Sequence, residues 1–132
     1  SNVILQAAKG KDVTINITTF YQEGGNQAFD DGFKKWLNAD SSKLTNNGGN
    51  DIVSAVSAMG YDAYFTALEA IKAADSAEPA KIMEALWKVQ YKGVTGDIQF
   101  DSVNGDAQRT VAYIKAADTA TGAWTFVKEQ GI

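Results

Sequence analysis

The stretch DIVSAVSAMGYDAYFTALEAIKAA, Asp51 to Ala74, does most to limit what this chain can become. Ile52, Val56, Met59, Phe65, Leu68 and Ile71 recur mostly at intervals of three and four, the period of a helix with one buried face. Ala55, Ala58, Gly60, Ala63 and Ala67 sit among them, small enough to let a sheet or helix approach closely. Gly60 costs a helix interior up to about 1 kcal/mol relative to Ala, so a packing reason is expected for it. Downstream the helical period stops. Asp97–Phe100, Gln108–Ala116 and Ala123–Lys128 read as short strands, with Asn104-Gly105-Asp106 and Asp118–Gly122 as turns between them. A long helix beside a run of strands calls for a mixed α/β unit.

Upstream, Asp12–Tyr21 sets Val13, Ile15 and Ile17 against Thr14, Asn16 and Thr18, a strand with one buried face. Val3–Gly10 reads as a short helix stopped by Gly10, and Ser1-Asn2 is given no structural weight. Gln27–Ala39 places Phe29, Phe33, Trp36 and Leu37 at helical spacing, with Asn26 positioned to cap it. Asp30 and Asp31 fall early and Lys34 and Lys35 late, which suits the helix dipole. Asp40–Asn50 reads as a polar, mobile loop. Asp75–Val89 reads as a further helix, with Asp75 and Glu78 at capping-box spacing, Pro79 in the first turn and a stripe of Ile82, Met83, Leu86 and Val89. The order is a strand, three helices, then a strand meander.

At 132 residues and 45% hydrophobic, the chain suits one domain. A net charge of −4 argues against a nucleic-acid partner, which would need a basic face. There is no histidine and no cysteine. Zinc sites built on those residues, thiol nucleophiles and Ser-His-Asp triads are therefore excluded, and no cofactor is expected. The missing cysteines do not fix the compartment. No apolar run approaches the roughly 18 residues of a membrane span, and no charged-then-apolar leader is present, so any signal peptide is expected to have been removed or left out of this sequence.

The short motifs are weak by themselves. Gly93-Val94-Thr95-Gly96 leads into a strand, whereas a phosphate-binding P-loop needs Gly-Lys-Ser/Thr leading into a helix. Asp101–Asp106 has Val103 and Gly105 where a calcium loop needs oxygen ligands, so it reads as a turn. Asp30-Asp31 and Asp101/Asp106 are the carboxylates a glycoside hydrolase would need; adjacent helical residues point about 100° apart, so the first pair cannot share a substrate easily. Tyr61, Tyr64 and Phe65, or Trp36 and Trp87, could stack on a sugar or a base, but aromatics at helical spacing are more often core or its rim. Lys34-Lys35 reads as a solvated face. The residues alone point to no enzyme.

In combination the motifs say more. Gly60-Tyr61-Asp62-Ala63, then Ala85-Leu86, Gly93-Val94-Thr95-Gly96, Phe100-Asp101 and Gly105-Asp106 occur in an order and spacing that resembles the C-terminal part of the type I periplasmic binding proteins, the branched-chain amino-acid-binding family of ABC importers. The resemblance covers about Val13 to Val127 and is best from Gly60 onward. It implies an α/β, partial type I periplasmic-binding-protein fold, the last third or so of a two-lobed protein that holds its ligand in the cleft between lobes. Residues 1–132 then form a single piece: 12–90 would belong to a lobe with a crossover strand and helices, and 91–132 would be closing strands toward the hinge and second lobe. The Gly-Val-Thr-Gly stretch is expected to be a shaped corner from helix to strand, with glycine at Gly93 and Gly96 to avoid Cβ strain.

The same resemblance implies a function without chemistry. The longer protein would bind an amino acid or similar small solute, dock on a membrane permease, and lie outside the cytoplasm as a periplasmic, secreted or lipid-anchored protein. Segments that grip the ligand's charged ends lie mostly upstream in that family, so this chain alone is expected to bind weakly or not at all. The family often has a cleft-lining aromatic just before the Gly-Tyr-Asp-Ala helix; Val56 stands here instead. Ser54, Val56 and Ser57 are the ligand-side candidates, with helix packing as their alternative role. Unpaired sheet edges are expected to make the chain a homodimer, with strand exchange as one route. The competing readings are a ligand-sensing domain of a receptor and a hydrolase using Asp30, Asp101 and Asp106.

Overall fold

A computed structural model describes residues 2–108 and 111–131. The chain begins with helix α1 (Asn2–Ala8), whose end is set by Gly10 in the left-handed region at φ 73°. Strand β1 (Asn16–Thr19) follows, then helix α2 (Gln27–Asn38), capped as its sequence predicts by the Asn26 side chain, which accepts from the Phe29 amide. Next come α3 (Ser41–Asn46), α4 (Ala55–Ala74) and α5 (Pro79–Leu86). Five strands close the chain: β2 (Tyr91–Gly93), β3 (Gly96–Phe100), β4 (Ala107–Gln108), β5 (Val111–Asp118) and β6 (Ala123–Gly131).

These strands form two antiparallel sheets. One has the order β1-β5-β6, so the early strand β1 pairs with a strand nearly a hundred residues later, in the register Ile17 to Lys115. The other has the order β2-β3-β4. The mixed α/β class is as expected, but several elements differ from the sequence reading. Asp40–Asn50 is not all loop: Asp40 accepts from the Ser42 amide at 2.8 Å and starts α3. Helix α4 starts at Ala55 rather than Asp51, because Ser54 caps it by accepting from Ser57 N. The expected capping box at Asp75 and Glu78 does not form. Asp75 instead ends α4 in the left-handed conformation, φ 44°, and Glu78 makes no side-chain cap bond. Of the strand expected over Gln108–Ala116, Gln108 belongs to β4 and β5 starts at Val111; Arg109 and Thr110 lie outside the described residues, as does Ser1.

The buried face of α4 also differs from the large-residue stripe. Ala58, Asp62, Thr66 and Ala70, spaced by four, are buried, while Val56 is 76% exposed. On this face Ala58 joins the core cluster with Tyr21, Phe29 and Val53, and Asp62 meets the β2–β3 hairpin loop. The packing reason expected for Gly60 is not found: no described atom lies within 4 Å of where its Cβ would be. In α5 the buried side chain is Ala85, and Met83 is exposed. The main core cluster is Tyr21, Phe29, Val53 and Ala58, with Phe33, Ala55 and Val94 against it.

The Gly-Val-Thr-Gly stretch is a tighter device than a helix-to-strand corner. It is the two-residue loop of the β2–β3 hairpin, with Gly93 paired to Gly96 and Gly96 at φ 105°. Asp62, 1% exposed, reaches into this loop. Its Oδ1 accepts from the Val94 amide at 2.8 Å, and its Oδ2 accepts from the Thr95 amide at 2.8 Å and the Thr95 hydroxyl at 2.5 Å. A Cβ at Gly93 would overlap the Asp62 carboxylate. The glycine is thus required by the aspartate, and two motifs thirty residues apart in sequence form one lock between α4 and the hairpin.

Candidate functional site

The lock and the core together fix the start of α4, where the ligand-side candidates lie. Val53 is buried under it, and its amide donates to Glu23 Oε2 at 3.2 Å. Glu23 also pairs with Lys34. This pairing, foremost the hydrogen bond, raises the Lys34 ammonium above its usual pKa. The Ser54 and Ser57 hydroxyls lie 2.9 Å apart and share a hydrogen bond.

The three candidates do not converge on one cavity. Ser57 opens on an apolar recess of about 430 Å³ between α2 and α4, with Phe29, Phe33, Trp36 and Tyr61. Ring pairs run along it: Phe29 to Phe33 stacked at 5.8 Å, Phe33 to Trp36 stacked at 5.8 Å, and Phe29 to Tyr61 at 4.9 Å. Trp36 is half exposed and carries the Lys43 ammonium 4.6 Å from its ring centroid, a cation–π contact. Of the aromatics read as core or its rim, Trp36 and Tyr61 lie on the rim. Ser54 and Val56 line a second recess, of about 370 Å³, with Ile17, Thr19, Asn50, Lys115 and Trp124. Strands β1, β5 and β6 supply its floor, since Ile17 and Lys115 are register partners and Trp124 is opposite Ala117. Lys115 and Trp124 were not singled out by sequence.

Of the carboxylates proposed for hydrolysis, Asp30 and Asp101 are engaged in structure. Asp30 is 3% exposed; it accepts from the Tyr21 hydroxyl at 2.6 Å and from the Gly24 amide at 2.6 Å. Burial first, then that hydrogen bond, pushes the Tyr21 phenol well above its usual range. Asp101 accepts from the Val103 amide at 2.8 Å inside a turn closed by Gly105, and its own amide donates to the Asp106 carbonyl at 2.9 Å. The stretch is thus the turn its sequence suggested. Among the described residues no group of three acidic side chains is placed to hold a metal ion.

Comparison with known proteins identifies the group. The family model described as "Receptor family ligand binding region" matches residues 1–116. The chain belongs to this receptor ligand-binding family. Its structure is similar to that of the leucine binding protein LivK from Thermotoga maritima, with a TM-score of 0.67 and 25% sequence identity over 98% of this chain. The chain spans only 34% of that protein's length. The fold is therefore a partial type I periplasmic-binding-protein fold, within a ligand-binding family. No curated protein matches the chain in sequence.

Proposed function

We propose that this chain is the C-terminal part of an extracytoplasmic solute-binding protein of an ABC importer, one that binds a branched-chain amino acid or a similar small solute and does no chemistry. The observation that carries the reading is the match to a leucine binding protein across nearly all of this chain but only about a third of that one. In this reading residues 12–90 belong to a lobe and 91–132 close toward the hinge. The pairing of β1 with β5 and of β5 with β6 in one sheet supports that division, because it sets the entering strand beside the closing strands. Ser54, Val56 and Ser57 stand at the rim of the cleft and would meet ligand on lobe closure, a shift between open and closed populations.

The partners follow from the same reading: a small solute and a membrane permease. Among the described residues no helix is long and apolar enough to cross a membrane. The chain alone forms a homodimer through β6, a nine-residue edge strand; a monomeric mass by light scattering at high concentration would overturn this. A ligand-sensing domain of a receptor is the second reading, favoured by the family's description as a receptor region.

The test is thermal unfolding of the product of the complete gene against a panel of amino acids and small amides, since a ligand of the native state raises the midpoint by mass action. A rise with one chemical class supports solute binding. No rise with any of them sinks it and turns attention to a protein-partner role.

A further inference from the structure

Two glycines in this chain follow an asparagine: Gly48 after Asn47 and Gly105 after Asn104. In such a pair the glycine nitrogen can attack the asparagine side-chain carbonyl, because no side chain on the glycine stands in the way. The two backbones are alike. Gly48 and Gly105 have φ of 79° and 76°, and each amide donates to a carbonyl, Gly48 to Thr45 at 3.1 Å and Gly105 to Asp101 at 2.7 Å. The asparagine side chains are held very differently. Asn47, half-buried at the C-cap of α3, donates from Nδ2 to the carbonyls of Asn50 at 2.8 Å and Ile52 at 3.1 Å. Asn104 is exposed in the turn between β3 and β4, and among the described residues its Nδ2 meets Asp101 Oδ2 at 3.4 Å, longer than an ordinary hydrogen bond.

We propose that Asn104 is this chain's site of spontaneous deamidation, and that the fold suppresses the same chemistry at Asn47. The Gly105 nitrogen gives its proton to hydroxide and bonds to Asn104 Cγ. The Cγ–Nδ2 bond breaks, and the nitrogen leaves as ammonia, taking a proton back from water. A five-membered imide is left in the main chain. Water then opens one of its two C–N bonds, giving aspartate or, through the other carbonyl, isoaspartate. At Asn47 the side chain must first give up both carbonyl bonds, which together slow the step by about tenfold or more. The backbone does not discriminate between the sites, since both glycine amides are bonded; the side chains do.

The product alters the turn. A carboxylate at position 104 replaces an amide donor beside Asp101 Oδ2, so an attraction becomes a like-charge repulsion. Isoaspartate also lengthens the main chain inside the loop that is closed by the Gly105 amide on the Asp101 carbonyl and the Asp101 amide on the Asp106 carbonyl. These bonds border the paired positions Phe100 and Ala107 of β3 and β4. Trp87 is placed to sense the change, because its ring lies 3.6 Å from where a Cβ on Gly105 would be. The inference does not rest on the solute-binding reading.

The test is incubation of the 132-residue chain in mildly alkaline buffer, with peptide mass mapping over time and enzymatic methylation to count isoaspartate. Asn104 is expected to lose its amide about tenfold faster than Asn47 or more, at a rate proportional to hydroxide, with the Trp87 indole N–H signal shifting in step. In guanidinium chloride, where neither side chain is held, the two sites should react at similar rates. Asn104→Gln should keep the turn and remove the reaction there, because the longer side chain would have to close a less favourable six-membered ring. Equal rates at the two sites in the folded chain, or Asn47 reacting first, overturns the proposal. So does an Asn104 amide that survives in the folded chain over the time in which the unfolded chain loses it.

Discussion

Gly93→Ala probes the lock between α4 and the β2–β3 hairpin most sharply. Gly93 has no positive φ, so alanine brings no backbone strain there; what it meets is the Asp62 carboxylate. Overpacking a buried site costs about 1–3 kcal/mol. Moving the carboxylate aside to relieve the overlap weakens its bonds to the Val94 and Thr95 amides and the Thr95 hydroxyl, each worth about 1.5–3 kcal/mol when the acceptor is charged. The expected cost is about 3 kcal/mol or more, still below the roughly 5–15 kcal/mol of stability usual for a domain. In an Asp62→Ala background the obstacle is gone, and the same substitution should cost about 1 kcal/mol or less. Urea unfolding of the four proteins of this cycle reads the coupling directly. If Gly93→Ala costs the same in both backgrounds within about 0.5 kcal/mol, the ordinary limit of additivity, the two residues are independent and the lock is refuted.

Tyr21→Phe should destabilise by about 2 kcal/mol, because it leaves Asp30 buried with only the Gly24 amide as a listener for its charge; an unchanged urea midpoint would contradict this. In the unsubstituted chain Tyr21 should remain protonated through the pH range near 10 where free phenols ionise, visible as a tyrosine that does not contribute to the alkaline absorbance change. Asp118 accepts from the Thr121 and Ala120 amides in the β5–β6 turn, and a hydrogen bond from the Thr121 side chain first, then these two amides, hold its carboxyl below the usual range. Its contribution is thus fully present above the unfolded pKa of about 3.9 and is lost as pH falls through the lower folded value; NMR titration of Asp118 should give a midpoint below that of a free aspartate, and Asp118→Asn should flatten stability against pH in that window. Ser54→Ala removes the cap of α4 and should cost about 1 kcal/mol, measured by the same unfolding assay.

The mixed α/β class, helices α2 and α4, and the turns at Gly105 and Gly122 were legible because each rests on local chemistry: an Asn cap, a helical period, a glycine with positive φ. What stayed hidden was set by partners distant in sequence. Periodicity selected the large residues of α4 as its buried stripe, yet Val56 is exposed and Asp62 is buried, because a carboxylate is buried when amides arrive to bond it. No local signal announces that those amides come from a hairpin loop thirty residues on. The motif order did hold both halves of the lock, but not their contact. Lys115 offered a faint cue, a lone cation inside the strand Val111–Asp118. Among the candidate ligand residues, Ser54 and Ser57 met through the helix cap, yet Ser57 opens on a different recess from the one that Ser54 and Val56 line.

The central claim is that this fold contributes one side of a solute cleft. Calorimetric titration of leucine into the product of the complete gene, with and without Ser57→Trp, tests it most directly. The account predicts saturable binding that the bulky side chain at the rim of α4 weakens, with the unfolding midpoint of the ligand-free protein little changed. Saturable binding that is indifferent to Ser57→Trp, or heat from neither leucine nor any related solute, would contradict it.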